Sequence, residues 1–278
     1  MNLKLSTVLS TQAAQFDAVI YKGDIDDNIA QIAEIGYDGV ELAVRDPALI
    51  DVDALERSLA KHGLLVPALG TGQAYGEEKL SFTAVDPGVR AQAIARIKGH
   101  VRLAQRLDAL VILGLIRGVT PPGVSKAQAM RWLVYALCQC SEYAAEAGVR
   151  LVLEPINRYE TDLINTIEEG LLLLEQVGSR DLGLLPDTFH MNIEEPSIER
   201  SLRQAAPAIF HFHVADSNRW YPGAGHLDFN RILLLLKEEL NYQGWISAET
   251  LPLPDPRTAA EQGLARLRGV LAETATQK

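Results

Sequence analysis

The chain has 278 residues, of which 47% are apolar, and a formal net charge of −10. Its length suits one large domain or two small ones, and a (β/α)8 barrel takes about 250 residues as one unit. The negative field repels phosphate backbones and argues against nucleic acid as a partner, and no apolar run approaches the roughly 18 residues of a membrane span.

Met1-Asn2-Leu3-Lys4-Leu5 leads straight into a first strand, Leu3 to Leu9, without the apolar segment and cleavage site of a secretory leader. Cytoplasmic location is the expectation. A helix follows from Asp26 to Ile35, with Ile29, Ile32, Ala33 and Ile35 near helical period and Gly36 as its stop. Val40 to Val44 is the second strand, ending at Arg45-Asp46-Pro47, and Val52 to Lys61 the second helix. The third strand, Val66 to Leu69, runs out into Gly70-Thr71-Gly72-Gln73-Ala74-Tyr75 before a long helix, Pro87 to Arg106. Ala109 to Leu113 is the fourth strand, ending at Gly114-Leu115-Ile116-Arg117-Gly118. The next helix spans Ser125 to Ala147, and Ser125 with Gln128 has capping-box spacing. It carries Cys138 and Cys140, which point to different sides and are expected unbridged, as buried small apolar residues. Arg150 to Leu153 is the fifth strand, and Thr166 with Glu169 caps a helix reaching Val177. Three more strands follow, Leu182 to Leu185, Ile209 to Val214 and Trp245 to Ala248. Their helices are Ser197 to Ala205, Phe229 to Leu240 and Thr258 to Leu271.

Strict alternation of strand and helix implies a parallel sheet. Eight such units predict a closed α/β barrel, the (β/α)8 or TIM barrel, as a single domain over residues 1–278. The glycine fingerprint of a dinucleotide-binding sheet is absent after the first strand, where Ser10-Thr11-Gln12 stands.

In a closed parallel barrel all strand C-termini meet on one face, and the active site sits there. The fifth to eighth strands deliver Glu154, Asp187, His213 and Glu249 to that face. Each has a plainer explanation: a solvated loop residue, a turn cap, a hydrogen-bonded core histidine, a partner for an arginine. Together, on four adjacent strands, they predict one shared divalent metal site. Carboxylates plus imidazole without thiolate suit Mn²⁺, Mg²⁺ or Co²⁺, with Zn²⁺ less favoured. Such an ion, chelated by a ketone oxygen and the neighbouring hydroxyl, stabilises the enediolate left when a carbon beside the ketone loses its proton. Glu154 and Glu249 are the catalytic candidates, one removing the proton and the other returning it. Return to the opposite face is epimerisation, and return to the adjacent carbon is aldose–ketose isomerisation. Glu160, His190 and Arg219 lie at short offsets from these residues and are candidates for contacts to substrate oxygens.

At these residues the chain resembles the xylose-isomerase-like barrels, and within them the D-tagatose 3-epimerase family. The likeness rests on Asp187-Thr188-Phe189-His190-Met191-Asn192 and on Ser217-Asn218-Arg219 through Pro222-Gly223 and Gly225-His226. It implies metal ligands at Glu154, Asp187, His213 and Glu249, with Mn²⁺ as the first choice of ion. It further implies substrate contacts at Glu160, His190 and Arg219. The chain is most similar to the 5-keto-L-gluconate epimerase branch in Val44-Arg45-Asp46-Pro47, Gly70 to Tyr75, Arg117-Gly118, Asn157 to Asp162 and Leu251-Pro252-Leu253-Pro254. That branch implies a keto-uronate substrate, with Gln73 among the substrate contacts. Arg45, Arg117 and Arg158 are the candidate cations for its carboxylate, or else ties of the barrel rim. The expected protein is a metal-dependent 3-epimerase of a ketose or keto-uronate, working on a small sugar or sugar acid, with association into a homo-oligomer. Alternatives are an isomerase of the hydroxypyruvate isomerase type, a lyase like inosose dehydratase, a metal-dependent abasic-site endonuclease, which the charge disfavours, and a sugar sensor, which would not need paired glutamates.

Overall fold

Short apolar runs, each buried on both faces, pair side by side in chain order, as parallel strands covered by helices do. The computed structural model describes residues 3–276, so Met1, Asn2, Gln277 and Lys278 lie outside the described residues. The strands are β1 (Lys4–Ser10), β2 (Gly39–Ala43), β3 (Ala68–Gly70), β4 (Leu110–Leu113), β5 (Leu151–Leu153), β6 (Leu182–Leu184), β7 (Phe212–Val214) and β8 (Trp245–Ala248). They form one eight-stranded sheet in the order β6-β5-β4-β3-β2-β1-β8-β7. Parallel bridges Leu184–Ile209 and Asp187–His213 join its two edges. Across that join the Phe210 amide donates to the Leu184 carbonyl at 3.1 Å and the His213 amide to the Pro186 carbonyl at 3.0 Å. The sheet is therefore a closed TIM barrel.

The helices are α1 (Ile25–Ile35), α2 (Val52–His62), α3 (Gly72–Glu78), α4 (Pro87–Leu107), α5 (Lys126–Glu146), α6 (Ile167–Val177), α7 (Thr188–Glu194), α8 (Ile198–Ala205), α9 (Phe229–Leu234) and α10 (Pro256–Thr276). Gly36 ends α1 in the left-handed conformation, and Thr166 with Glu169 forms a complete capping box on α6. On α5 only half the box forms: Ser125 accepts from the Gln128 amide, while the Gln128 side chain accepts from Arg131. The helix expected to reach Leu240 is regular only to Leu234 and continues as a π turn, Leu235–Glu239. Cys140 is buried, but Cys138 is exposed, which corrects the expectation for the latter: residues two apart on a helix cannot both face the core. Among the described residues no helix is long and apolar enough to cross a membrane.

Two differences from the expected elements bear on function. α3 and α7 occupy stretches expected as loops after the third and sixth strands. Both are seven residues long, too short to show a helical period. They sit at the barrel mouth and carry Gln73 and His190. The barrel's lower interior is filled by Ala68, Leu110, Ile112, Val152 and Leu185, with Phe210 packed against them. Phe210 needs Gly183 opposite it, because a Cβ there would lie 2.4 Å from the ring. With the floor sealed by apolar groups, inward-facing polar residues collect at the C-terminal ends of the strands.

Candidate active site

The strand period of two turns His211 and His213 to the same, inner face of the barrel. Glu154 and Glu249 follow directly on β5 and β8, and Asp187 comes three residues after β6. Glu154, Asp187, His213 and Glu249 each offer one ligand atom, all within 4.8 Å of one another. Asp187 divides its work: Oδ1 caps α7 by accepting from the Phe189 amide at 2.6 Å, while Oδ2 is buried and has no partner. Glu154 Oε1 and His213 Nδ1 are likewise buried and unpartnered. His213 Nδ1 stands 3.8 Å from both of these carboxylate oxygens.

Burial pushes all three acids above the usual carboxylate range. Glu249 adds to the shift of Glu154, and Glu249 itself rises to about 7 against the opposing charges of His213 and Arg219. Buried acceptors converging without donors are costly unless something positive satisfies them. The residues present therefore fit a divalent cation: three carboxylates and an imidazole, with orphaned atoms aimed at one point.

Glu41 was not singled out from the sequence. It lies on β2, is 1% exposed, and its Oε2 accepts from His211 Nε2 at 2.8 Å and from His213 Nε2 at 3.0 Å. Burial would raise its pKa, but the two imidazoles hold it well below the usual carboxylate range. In turn, burial would lower His213, and the Glu41 carboxylate pushes it up to about 10. Its Nε2–H donates to Glu41, while Nδ1 faces the carboxylates and would give up its proton to serve a cation there. A carboxylate that fixes a ligand histidine from behind orients the ring and makes it a better donor. The available signal was a lone charge inside Val40-Glu41-Leu42, an apolar strand, where burial demands a partner.

Above this cluster the cavity is lined by Glu154, His213 and Glu249 together with Gln73, Glu160, His190 and Arg219. Arg219 adopts a positive φ of 62°, a backbone conformation uncommon for a residue with a Cβ. It donates to Glu160 Oε1 at 3.1 Å and to Glu249 Oε2 at 3.2 Å, and lies over the Phe189 and Phe16 rings. His190 is held well below its ordinary pKa by burial and then by Arg219, so it is neutral. Its tautomer follows from Asn157. Asn157 Oδ1 accepts from the Tyr159 amide, so Nδ2 is the end that faces His190 Nδ1 at 2.7 Å. Nδ1 must accept, and Nε2 carries the proton, 3.7 Å from Glu154 Oε1. Asn157 also donates to Glu160 Oε1 at 2.9 Å, and so ties Glu160 to His190, a link the sequence reading did not assign.

The three candidate carboxylate-binding arginines are not brought to the cavity. Arg158 is exposed and forks onto Glu194. Arg45 donates to the Ala13 carbonyl and lies 3.5 Å from Glu78. Arg117 is fully buried but turned away, donating to the carbonyls of Gly114, Ile164 and Glu154. Burial lowers its pKa to about 10. Strand-end carbonyls need donors once buried, and Arg117 supplies them, tying the loop after β4 to the backbone that carries Glu154. Gly114 leaves room for that glutamate, since a Cβ would sit 3.1 Å from Oε2.

The model for xylose isomerase-like TIM barrels matches residues 29–270. The chain is 32% identical over 234 residues to an L-ribulose 3-epimerase of Methylomonas sp. (strain DH-1), covering 82% of this chain and 80% of that protein. It is 29% identical over 228 residues to a D-psicose 3-epimerase of Agrobacterium fabrum, covering 80% and 77%. A crystal structure of D-allulose 3-epimerase from Methylomonas sp. superposes with a TM-score of 0.83 at 27% identity, over 97% of this chain and 98% of that one. With a family match over most of its length and epimerases as relatives, this chain belongs to the xylose isomerase-like TIM barrel family and is an isomerase, a sugar epimerase.

Proposed function

We propose that the protein inverts carbon 3 of a ketose, with Glu154 and Glu249 as the acid–base pair. The supporting observation is that both glutamates line one cavity from β5 and β8, and that burial raises both above the ordinary range. Two carboxyl groups that reach one cavity from different strands can serve as proton acceptor and proton donor. One withdraws the C3 proton and leaves an enediolate across C2 and C3; the other delivers a proton to the opposite face. His190, neutral with its proton on Nε2, donates to a substrate oxygen beside Glu154. Arg219, fixed by Glu160, Glu249 and two aromatic faces, holds a second oxygen and keeps Glu249 in place. The hydrogen bonds that restrain these side chains reduce the reorganisation needed at the transition state.

Glu154, Asp187, His213 and Glu249 would hold the ion, for which Mn²⁺ is the proposal from the oxygen-rich set. A bound divalent cation supplies Lewis acidity to the ketone oxygen and the neighbouring hydroxyl. Turnover in deuterated water tests the reading. One solvent deuteron should enter C3 as the epimers mix. Exchange appearing at C1 with aldose formation would replace epimerisation by isomerisation, and a product lighter by one water would indicate a lyase.

A further inference from the structure

This inference rests on the epimerase reading and concerns a residue behind the cavity wall. Asn157 lies in the loop after β5 and is 2% exposed. Glu160, His190 and Arg219 line the cavity, whereas Asn157 is absent from its wall. Its Oδ1 accepts from the Tyr159 amide at 3.0 Å, inside a turn in which the Glu160 amide donates to the Asn157 carbonyl at 3.1 Å. That leaves Nδ2 with two hydrogens. One goes to Glu160 Oε1 at 2.9 Å and the other to His190 Nδ1 at 2.7 Å. The main-chain amide of Asn157 faces the same His190 nitrogen at 3.5 Å, and an N–H can only donate. With both side-chain hydrogens engaged, Asn157 has no donor left for a ligand and acts only through its neighbours.

Those neighbours stand on two sides of the cavity. A neutral imidazole carries one N–H, and the partner of one ring nitrogen decides which nitrogen bears it. With Nδ1 accepting, His190 turns its Nε2–H toward the cavity beside Glu154. With Nδ1 donating, a bare Nε2 would meet that carboxylate and a substrate oxygen, acceptor against acceptor. On the other side, the same amide nitrogen aims Glu160 at Arg219, which lies 3.1 Å from Glu160 Oε1 and 3.2 Å from Glu249 Oε2. A run of His190, Asn157, Glu160 and Arg219 therefore reaches from beside Glu154 to Glu249, the two groups assigned to opposite faces of the substrate.

We propose that Asn157 is a positioning residue for the reaction: its amide nitrogen fixes both the tautomer of His190 and the aim of Glu160, so that one buried group sets the donors on two sides of the cavity. The role is separable from the turn. In Asn157→Asp an oxygen remains for the Tyr159 amide, but no hydrogen remains for Glu160 or His190, and the carboxylate draws a proton onto His190 Nδ1.

The test pairs a spectrum with kinetics. Nitrogen-15 NMR of histidine-labelled, Mg²⁺-loaded protein reads the tautomer, with His190→Gln identifying the resonance. In the wild type Nε2 should carry the proton and Nδ1 none, and in Asn157→Asp Nδ1 should become protonated. Kinetics use the Mn²⁺-supplemented enzyme and D-tagatose or the matching keto-uronate, whichever the wild type turns over faster. In Asn157→Asp kcat should fall about 10²- to 10³-fold with a smaller change in KM. In a His190→Gln background the same substitution should cost about 10-fold or less, because one of the groups it acts through is gone. A wild-type proton on Nδ1, an aspartate variant with wild-type kcat, or losses that simply multiply in the double variant would overturn the proposal while leaving epimerisation intact. Should Asn157→Asp not fold, the wild-type spectrum and Asn157→Ala decide, the latter with kcat lowered about 10-fold or more. Absence of C3 exchange on both sugars would instead remove the epimerase reading and the catalytic role of Asn157 with it, whatever tautomer the spectrum shows.

Discussion

At the scale of single residues, the proposed reaction assigns proton movement to some groups and the positioning of those groups to others. Glu154→Gln and Glu249→Gln keep an oxygen for a cation but lose the ability to trade a proton. Each should lower kcat by about 10²- to 10⁴-fold with a smaller change in KM, as measured by steady-state kinetics and C3 deuterium exchange. Glu41→Gln removes the charge that orients His213 from behind. Affinity for Mn²⁺ should fall about 10- to 100-fold, read by isothermal titration calorimetry, with a normal circular dichroism spectrum. The grouping of the four strand-end residues was legible because a barrel topology turns distant positions into neighbours. Glu41 was not, because its importance appears only when β2 and β7 face each other across the interior. Arg117 shows the reverse: an arginine at a strand end suggests anion binding, yet buried carbonyls claimed its donors first.

At the scale of elements, the loop after β7 is organised by Asp216. Its carboxylate is buried and accepts from the amides of Ser217 at 2.7 Å, Gly223 at 2.8 Å and Leu227 at 3.1 Å. Those donors hold its pKa below the ordinary value against the opposing effect of burial. Folding therefore favours the ionised form. The stabilisation is complete above about pH 4, the unfolded value, and is lost as pH falls through the lower folded value. Asp216→Ala should cost about 2–4 kcal/mol and lower Tm by roughly 5–10 °C at pH 7. The difference from wild type should shrink in thermal melts taken at progressively lower pH below about 4. Because this loop also carries Arg219 in its positive-φ conformation, KM should rise in the same variant. Long, strongly periodic helices such as α1 and α6 were readable from spacing and caps. The seven-residue helices α3 and α7 were not, since two turns carry too few apolar positions to reveal a period.

At the scale of the whole molecule, apolar strands alternating with helices specified the ring, and the acidic centre is what that ring encloses. Three buried carboxylates repel one another when no cation is shared among them. Exhaustive chelation should abolish turnover and lower Tm, and Mn²⁺ at about 100 times its Kd should restore about 2.7 kcal/mol of stability. Differential scanning calorimetry with and without the ion checks this, and an unchanged Tm would count against the shared site.

The contact between β6 and β7 is sparser than the other seams, resting on two isolated bridges with Thr188 hydrogen-bonded to Ala215 nearby. Asp187 and His213 stand on either bank of it. A cation grasped by both would act as a clasp on the one loosely stitched pair of staves, so occupancy at the centre of chemistry also governs how the cask breathes. Amide exchange at Phe210 and His213 should quicken when the clasp is removed, while the β1–β2 ladder stays slow.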